Sequence, residues 1–350
     1  MRAMVLENIG PVTDGSTPLV LADCADPTPG AGEVLIRVSV CGVCHTELDE
    51  IEGRMRPPML PVIPGHQVVG RVESSGVGAG AFAPGDRVGV AWIYSACERC
   101  ELCKSGNENL CAQFRATGRD ANGGYAELMT VPQEFAHAIP DSLADSQAAP
   151  LLCAGAIGFR SLRLAGIVNG QLLGLTGFGA SAHLVLKLIR YQFPRTRVFV
   201  FARSERERAF ARELGAAWAG DTSEPSPERL SAIIDTTPAW TPVVAALANL
   251  QPRGRLVINA IRKEDTDKKA LLGLDYPRDL WLEKEIKSVA NVTRFDVREF
   301  LRLAAEMALE PEVQEYPLDD ANRALCDLKL KDVRGAKVLR VNTGQQSWTK

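Results

Sequence analysis

An excess of charge of either sign is what this sequence lacks first: 40 Lys and Arg stand against 43 Asp and Glu, a formal net charge of −3. So even a balance leaves no electrostatic footprint for gripping nucleic acid or an anionic membrane, and neither partner is expected. Long apolar runs are missing too. None reaches, uninterrupted, the roughly 18 residues that a membrane span requires. The opening MRAMVLENIG has no apolar core of secretion-signal length, so a cytoplasmic location is expected. The nine cysteines are an odd number, and a reducing compartment disfavours a disulfide framework. Internal repeats and low-complexity stretches are absent. What remains is a chain of 350 residues, 46% of them hydrophobic, enough for a large core and about two domains.

The pattern changes character partway along. Up to about residue 140, short strand-like runs (GEVLIRVSV, HQVVGRVESSG, GDRVGVAW, GGYAELMTV) alternate with turn segments such as PTPGAG, which predicts an all-β, barrel-like domain. A helical stretch, SLADSQAAPLLCAGAIGFRSLRLAG, follows. From Gln171 apolar strands alternate with helices: QLLGLTG with ASAHLVLKLIRYQ, TRVFVFA with SERERAFARELGA, LSAIIDTT with TPVVAALANLQ, then GRLVINAI and EIKSVANV. That alternation predicts a parallel sheet covered on both faces. Helices at REFLRLAAEMA and LDDANRALCDLKL and a strand at GAKVLRV close the pattern, before a polar end, NTGQQSWTK.

Four of the cysteines crowd into ACERCELCKSGNENLCAQ as Cys97, Cys100, Cys103 and Cys111, a C-x2-C-x2-C-x7-C run. Bacterial iron–sulfur runs also begin this way, but their fourth cysteine comes sooner and precedes proline. Four thiolates with one longer gap close a tetrahedral shell around zinc. Cys24, Cys41 and Cys326 stand singly and read as small buried hydrophobes. Cys44, His66 and Cys153 each have an equally plain explanation taken alone, although two cysteines and a histidine are also a known catalytic zinc set. In the second half, LLGLTGFGASAHLV runs from a strand into a helix. There Gly177 allows the tight turn, Gly179 a close approach of backbone to a pyrophosphate, and Ala182 the packing of helix on strand.

CGVCHTELDEIEG, LPVIPGHQVVGRV, PGDRVGVAWIYSACERCELC and APLLCAGAIGF, in this order and spacing, resemble segments of the zinc-dependent medium-chain alcohol dehydrogenases over nearly the whole chain. The resemblance implies a GroES-like catalytic domain over residues 1–150, with a zinc lobe at about 93–112. A Rossmann domain follows over 151–294, and residues 295–350 complete the catalytic domain. It implies a catalytic zinc on Cys44, His66 and Cys153 and a structural zinc on the four-cysteine loop, two per chain. Thr46 is then placed to receive the substrate hydroxyl proton, Trp92 to line the substrate site, and His45 and Arg294 to touch cofactor phosphates. The implied reaction is reversible hydride transfer between a primary or simple secondary alcohol, or its carbonyl product, and a nicotinamide cofactor, in a homo-oligomer. The same scaffold would also serve a zinc-containing reductase of activated double bonds.

Departures from the family pattern are informative. Gln67 replaces the acidic residue common after the ligand histidine, and Asp49 replaces the histidine that often ends the proton relay. Arg54 and Arg56, in the loop GRMRPPML, read as solvated. At the end of the second strand of the alternating half, Ala202 stands where an acidic residue would bind the adenosine ribose of NAD. Arg203, Ser204 and Arg206 or Arg208 follow it, so the expectation is NADP(H) in preference to NAD(H).

Overall fold

The computed structural model describes residues 1–331 and 335–342; the polar end from residue 343 lies outside the described residues. The chain forms two units, Met1–Cys153 with Val292–Lys350, and Ala154–Asn291. The boundary thus falls three residues later than residue 150, and leaves Cys153 in the first unit.

The first unit is built on a seven-stranded sheet. Its longest strand, Glu33–Val43, pairs antiparallel with Val68–Ser75 on one side and with the late strand Ala336–Arg340 on the other. The end of the chain therefore completes a sheet begun three hundred residues earlier. Alternation along EVLIRVSVCGV buries most of its side chains, and with Val68, Val72, Val88, Val90 and Met129 they form the core of this unit. Two early strands, Arg2–Leu6 and Leu19–Asp23, make a separate antiparallel pair, and Ile93–Ser95 pairs with Arg115–Ala116 at the base of the cysteine loop.

The second unit is a six-stranded, wholly parallel sheet. In space its strands run Trp218–Gly220, Arg197–Phe201, Leu172–Thr176, Leu230–Asp235, Leu250–Ile258 and Glu285–Ser288. In chain order that is 3-2-1-4-5-6, the doubly wound arrangement of dinucleotide-binding sheets, with its reversal between the first and fourth strands. Five of these strands are legible in the sequence. The third, Trp218–Gly220, is not: three residues carry no alternation to read.

Along the chain, across the boundary after Cys153, the predicted long helix is broken into three pieces. Asp145–Pro150 is α-helical, Leu151–Gly155 is a single π-helical turn, and Ala156–Ala165 resumes the α-helix. The stretch Asp145–Ala165 is long and apolar enough to cross a membrane, but 72% of its apolar window is buried inside the protein, as expected of a core helix.

Candidate metal centres and nucleotide turn

Cys44 caps the short helix His45–Ile51 in extended conformation. Three residues on, Glu47 reaches back: one carboxylate oxygen accepts the backbone N–H of Cys44 at 2.8 Å, the capping-box geometry. Its other oxygen meets Nδ1 of His66 at 2.5 Å, and both side chains are buried. His66 follows Gly65, whose φ of +100° and whose Cβ position, 2.4 Å from the Tyr125 ring, admit no other residue without strain. Cys153 comes from the π-helical turn, a local widening that recurs at functional sites. These three chain segments bring the sulfurs of Cys44 and Cys153 and a nitrogen of His66 within 4.8 Å of one another.

The electrostatics of this triad are those of a cation site. Hydrogen bonding from Cys153, aided by His66, holds the Cys44 thiol well below the usual range despite its burial. The same bond, with burial, pushes Cys153 well above it. Burial opposes charge on His66, yet Glu47 and Cys44 raise its proton affinity well above that of a free imidazole. Burial in turn raises Glu47. With Nδ1 committed to Glu47, Nε2 is buried and has no hydrogen-bond partner. It is the nitrogen left to bind a metal, held in orientation by the carboxylate behind it. The residues present therefore fit a zinc ion.

Around the triad, the Thr46 hydroxyl lies 3.7 Å from the Cys44 sulfur, and His45 is exposed. Trp92 packs 5.5 Å from the Phe114 ring and carries the Arg119 guanidinium 5.8 Å over its own ring. Gln67 is buried. Asp49 is held by Arg54 at 2.5 Å, and Arg54 also pairs with Glu52. The expectation of a solvated Arg54 is thus replaced by a bridge linking the loop to the helix of Cys44.

The second cluster is the loop Cys97, Cys100, Cys103 and Cys111, whose sulfurs also lie within 4.8 Å of one another. The pairs Cys100–Cys103, Cys97–Cys103 and Cys100–Cys111 are 3.5, 3.9 and 3.9 Å apart. Four sulfurs about 2.3 Å from one zinc would sit roughly 3.8 Å apart. All four cysteines are free of disulfides. Backbone N–H groups point at the sulfurs, Cys100 onto Cys97 at 3.4 Å and Gln113 onto Cys111 at 3.3 Å. Such amides, from Arg99 and Cys100, draw the Cys97 thiol down to about 6, whereas burial pushes Cys103 up to about 12. A divalent ion among them would deprotonate all four.

Arg294, expected to touch cofactor phosphate, is tied to this loop. Its guanidinium pairs with Glu98 at 2.6 Å and Glu108 at 3.3 Å, its backbone N–H donates to Glu108 at 2.8 Å, and it covers the Phe135 ring at 4.8 Å.

In the second unit Gly177 has φ +77°, and a Cβ there would meet the Thr236 hydroxyl at 2.9 Å. A Cβ at Gly179 would meet nothing within 4 Å, so its backbone faces open space at the start of the helix Ala180–Gln192, where Ala182 is fully buried. This turn fits a dinucleotide pyrophosphate at a helix N-terminus. Ala202 is buried beyond the second strand. Ser204 caps the next helix, accepting from the Glu207 backbone at 3.2 Å and donating to its carboxylate at 2.9 Å. Arg208 donates to the carbonyls of Ala202 and Arg203 and pairs with Glu205 and Asp221. Ser204 and Arg208, both expected to face a 2′-phosphate, also brace this turn. Arg203 is exposed.

Glu47 belongs to no ligand motif of the sequence, although its position three residues after Cys44 is a helix-start signature. Glu50, one turn further, is buried with one oxygen unpartnered.

A β-rich unit holding these two clusters, in one chain with a 3-2-1-4-5-6 parallel sheet and its glycine turn, defines a medium-chain dehydrogenase. Residues 30–141 match the family described as "Alcohol dehydrogenase GroES-like domain". The chain is 42% identical over 346 residues to the "Probable alcohol dehydrogenase AdhA" of Mycobacterium tuberculosis, covering 97% of each. It is 31% identical over 322 residues to the "Probable cinnamyl alcohol dehydrogenase 8A" of Oryza sativa, covering 88% of each. The solved structure of a cinnamyl alcohol dehydrogenase of Sorghum bicolor superposes with a TM-score of 0.82 over 99% of each chain, at 27% identity. The chain belongs to the zinc-dependent medium-chain alcohol dehydrogenase family.

Proposed function

We propose that this alcohol dehydrogenase interconverts primary or simple secondary alcohols with their aldehydes or ketones, using one catalytic and one structural zinc and preferring NADP(H). The observation that carries the reading is the unpartnered Nε2 of His66, buried beside the sulfurs of Cys44 and Cys153. A zinc ion held by these three residues supplies Lewis acidity, lowering the pKa of an alcohol hydroxyl and polarising a carbonyl. Glu47 fixes the ring of His66 and the start of the Cys44 helix at once. Thr46 Oγ1 takes the hydroxyl proton of the alcohol, or returns one during reduction. Asp49 stands where the family's relay histidine would be and is engaged by Arg54, so the proton passes from Thr46 to solvent. The second zinc belongs to Cys97, Cys100, Cys103 and Cys111.

A bound nicotinamide cofactor supplies the hydride acceptor or donor. Gly177 and Gly179 open the backbone to its pyrophosphate, and Ala182 seats the helix behind. Ala202 offers no carboxylate to bind the ribose of NAD or repel a 2′-phosphate, and Arg203 supplies a cation. Ser204 and Arg208 set the path of that turn. Because oxidation of an alcohol releases a proton, neutral pH favours reduction of the carbonyl.

Thiol-rich clusters without disulfides suit a reducing cytoplasm. A homo-oligomer is supported by the edge strand Glu285–Ser288, exposed along its length, beside exposed Trp281 and Leu282; a free edge of this kind pairs readily with a second copy.

The test is a panel of aldehydes, including cinnamaldehyde and short aliphatic ones, run with NADPH and with NADH. The reading predicts turnover with a kcat/KM ratio for NADPH over NADH above one, reduced in Arg203→Ala. A ratio below one removes the cofactor preference, and no turnover with either cofactor removes the activity.

A further inference from the structure

Asp235 ends the fourth strand of the parallel sheet, opposite Thr176 at the end of the first, and its side chain is fully buried. This is the point of topological reversal, where dinucleotides bind in sheets of this order. Lys263, from the segment after the fifth strand, places its ammonium 2.5 Å from one Asp235 oxygen with its side chain 8% exposed. The other oxygen accepts the Thr237 hydroxyl at 2.8 Å. The same ammonium donates to the carbonyls of Thr237 at 2.7 Å and Ala239 at 3.0 Å. All three of its protons are thereby used.

The turn so gathered, residues 236–239, forms one wall of the glycine turn. Thr236 donates its backbone N–H and its hydroxyl to the Thr176 carbonyl at 2.9 and 3.1 Å. The Thr236 hydroxyl would also be the first atom met by a Cβ on Gly177, at 2.9 Å. A buried ion pair contributes little net stability compared with apolar residues of the same size. What an apolar pair could not do is hold two backbone carbonyls and a hydroxyl in fixed directions.

We propose that Lys263 and Asp235 are positioning residues for the nicotinamide cofactor: they hold the 236–239 turn in the place that leaves room beside Gly177 for the dinucleotide. The inference rests on the nicotinamide reading given above. Lys263 touches no reacting atom and acts through that turn alone.

The experiment measures NADPH and NADH binding to the full-length protein by titration of intrinsic fluorescence, alongside Tm. Lys263→Met alone leaves the Asp235 carboxylate buried without its partner and is expected to lower Tm. The informative protein is therefore the double variant Asp235→Asn, Lys263→Met, in which neither charge is left buried. It is expected to keep a Tm close to wild type while binding both cofactors about tenfold or more weakly, the scale of losing hydrogen bonds from a charged donor. Affinities within twofold of wild type in the double variant, with Lys263→Met only less stable, would overturn the positioning role and leave the nicotinamide reading intact. A wild type that binds neither cofactor would overturn both.

Discussion

Glu47 sets the orientation of two of the three residues in the cluster of Cys44, His66 and Cys153, one oxygen on the Cys44 backbone and one on the His66 ring. A glutamine there keeps the size and one acceptor but loses the charge behind the imidazole. Glu47→Gln should therefore weaken zinc at this cluster by about 10- to 100-fold, the usual cost of removing such a partner. Competition with a chromogenic chelator would measure it, and unchanged affinity would mean that the carboxylate only caps a helix. Thr46→Ala should lower kcat by about 10²-fold, the scale of lost proton-transfer catalysis, without loss of metal. At this scale the sequence points to the residues that cluster and is silent about what orients them. Cysteine spacing and motif order are written along the chain, whereas Glu47 matters only because the Gly65 turn brings His66 onto it. Likewise nothing in the string of residues shows that Arg54 closes onto Asp49.

Secondary-structure elements carry several of the differences from expectation. The helix read through LLCAG is interrupted by a π-helical turn at Cys153, and periodicity does not distinguish one widened turn from its neighbours. Arg294 begins the helix Arg294–Glu306 and grips Glu98 and the buried Glu108 of the cysteine loop. Arg294→Met should therefore lower Tm by several degrees while leaving KM for NADPH unchanged; the reverse pattern would return Arg294 to the cofactor. His137, in the strand Ala136–Ala138, is buried with both ring nitrogens unpartnered. Burial, with Arg298 and Arg294 nearby, lowers its pKa from 6.5 to about 3. The unfolded chain takes up this proton near pH 6.5 and the folded one only near 3, so its contribution favours folding above 6.5 and is lost as pH falls through that window. The loss amounts to up to roughly 5 kcal/mol. Urea midpoints at pH 4.5 and 7.5 should accordingly differ less in His137→Leu than in wild type, and an unchanged difference would place the acid sensitivity elsewhere.

At the scale of the whole molecule, the order of motifs along the chain made both architectures legible: short strands first, strand–helix alternation after, and a closing strand that returns to Glu33–Val43. The short edge strand Trp218–Gly220 is not legible in the sequence because its pairing depends on Arg197–Phe201 and not on its own pattern. The central claim is that two separate side-chain clusters each hold a zinc ion and that only the one containing His66 is catalytic. It is tested most directly by elemental analysis of the purified protein and of His66→Ala, neither exposed to chelator. The account predicts about two zinc ions per wild-type chain, and one in the variant, which stays folded but inactive. A variant that retains both ions, or a wild type that carries one or fewer, would contradict it.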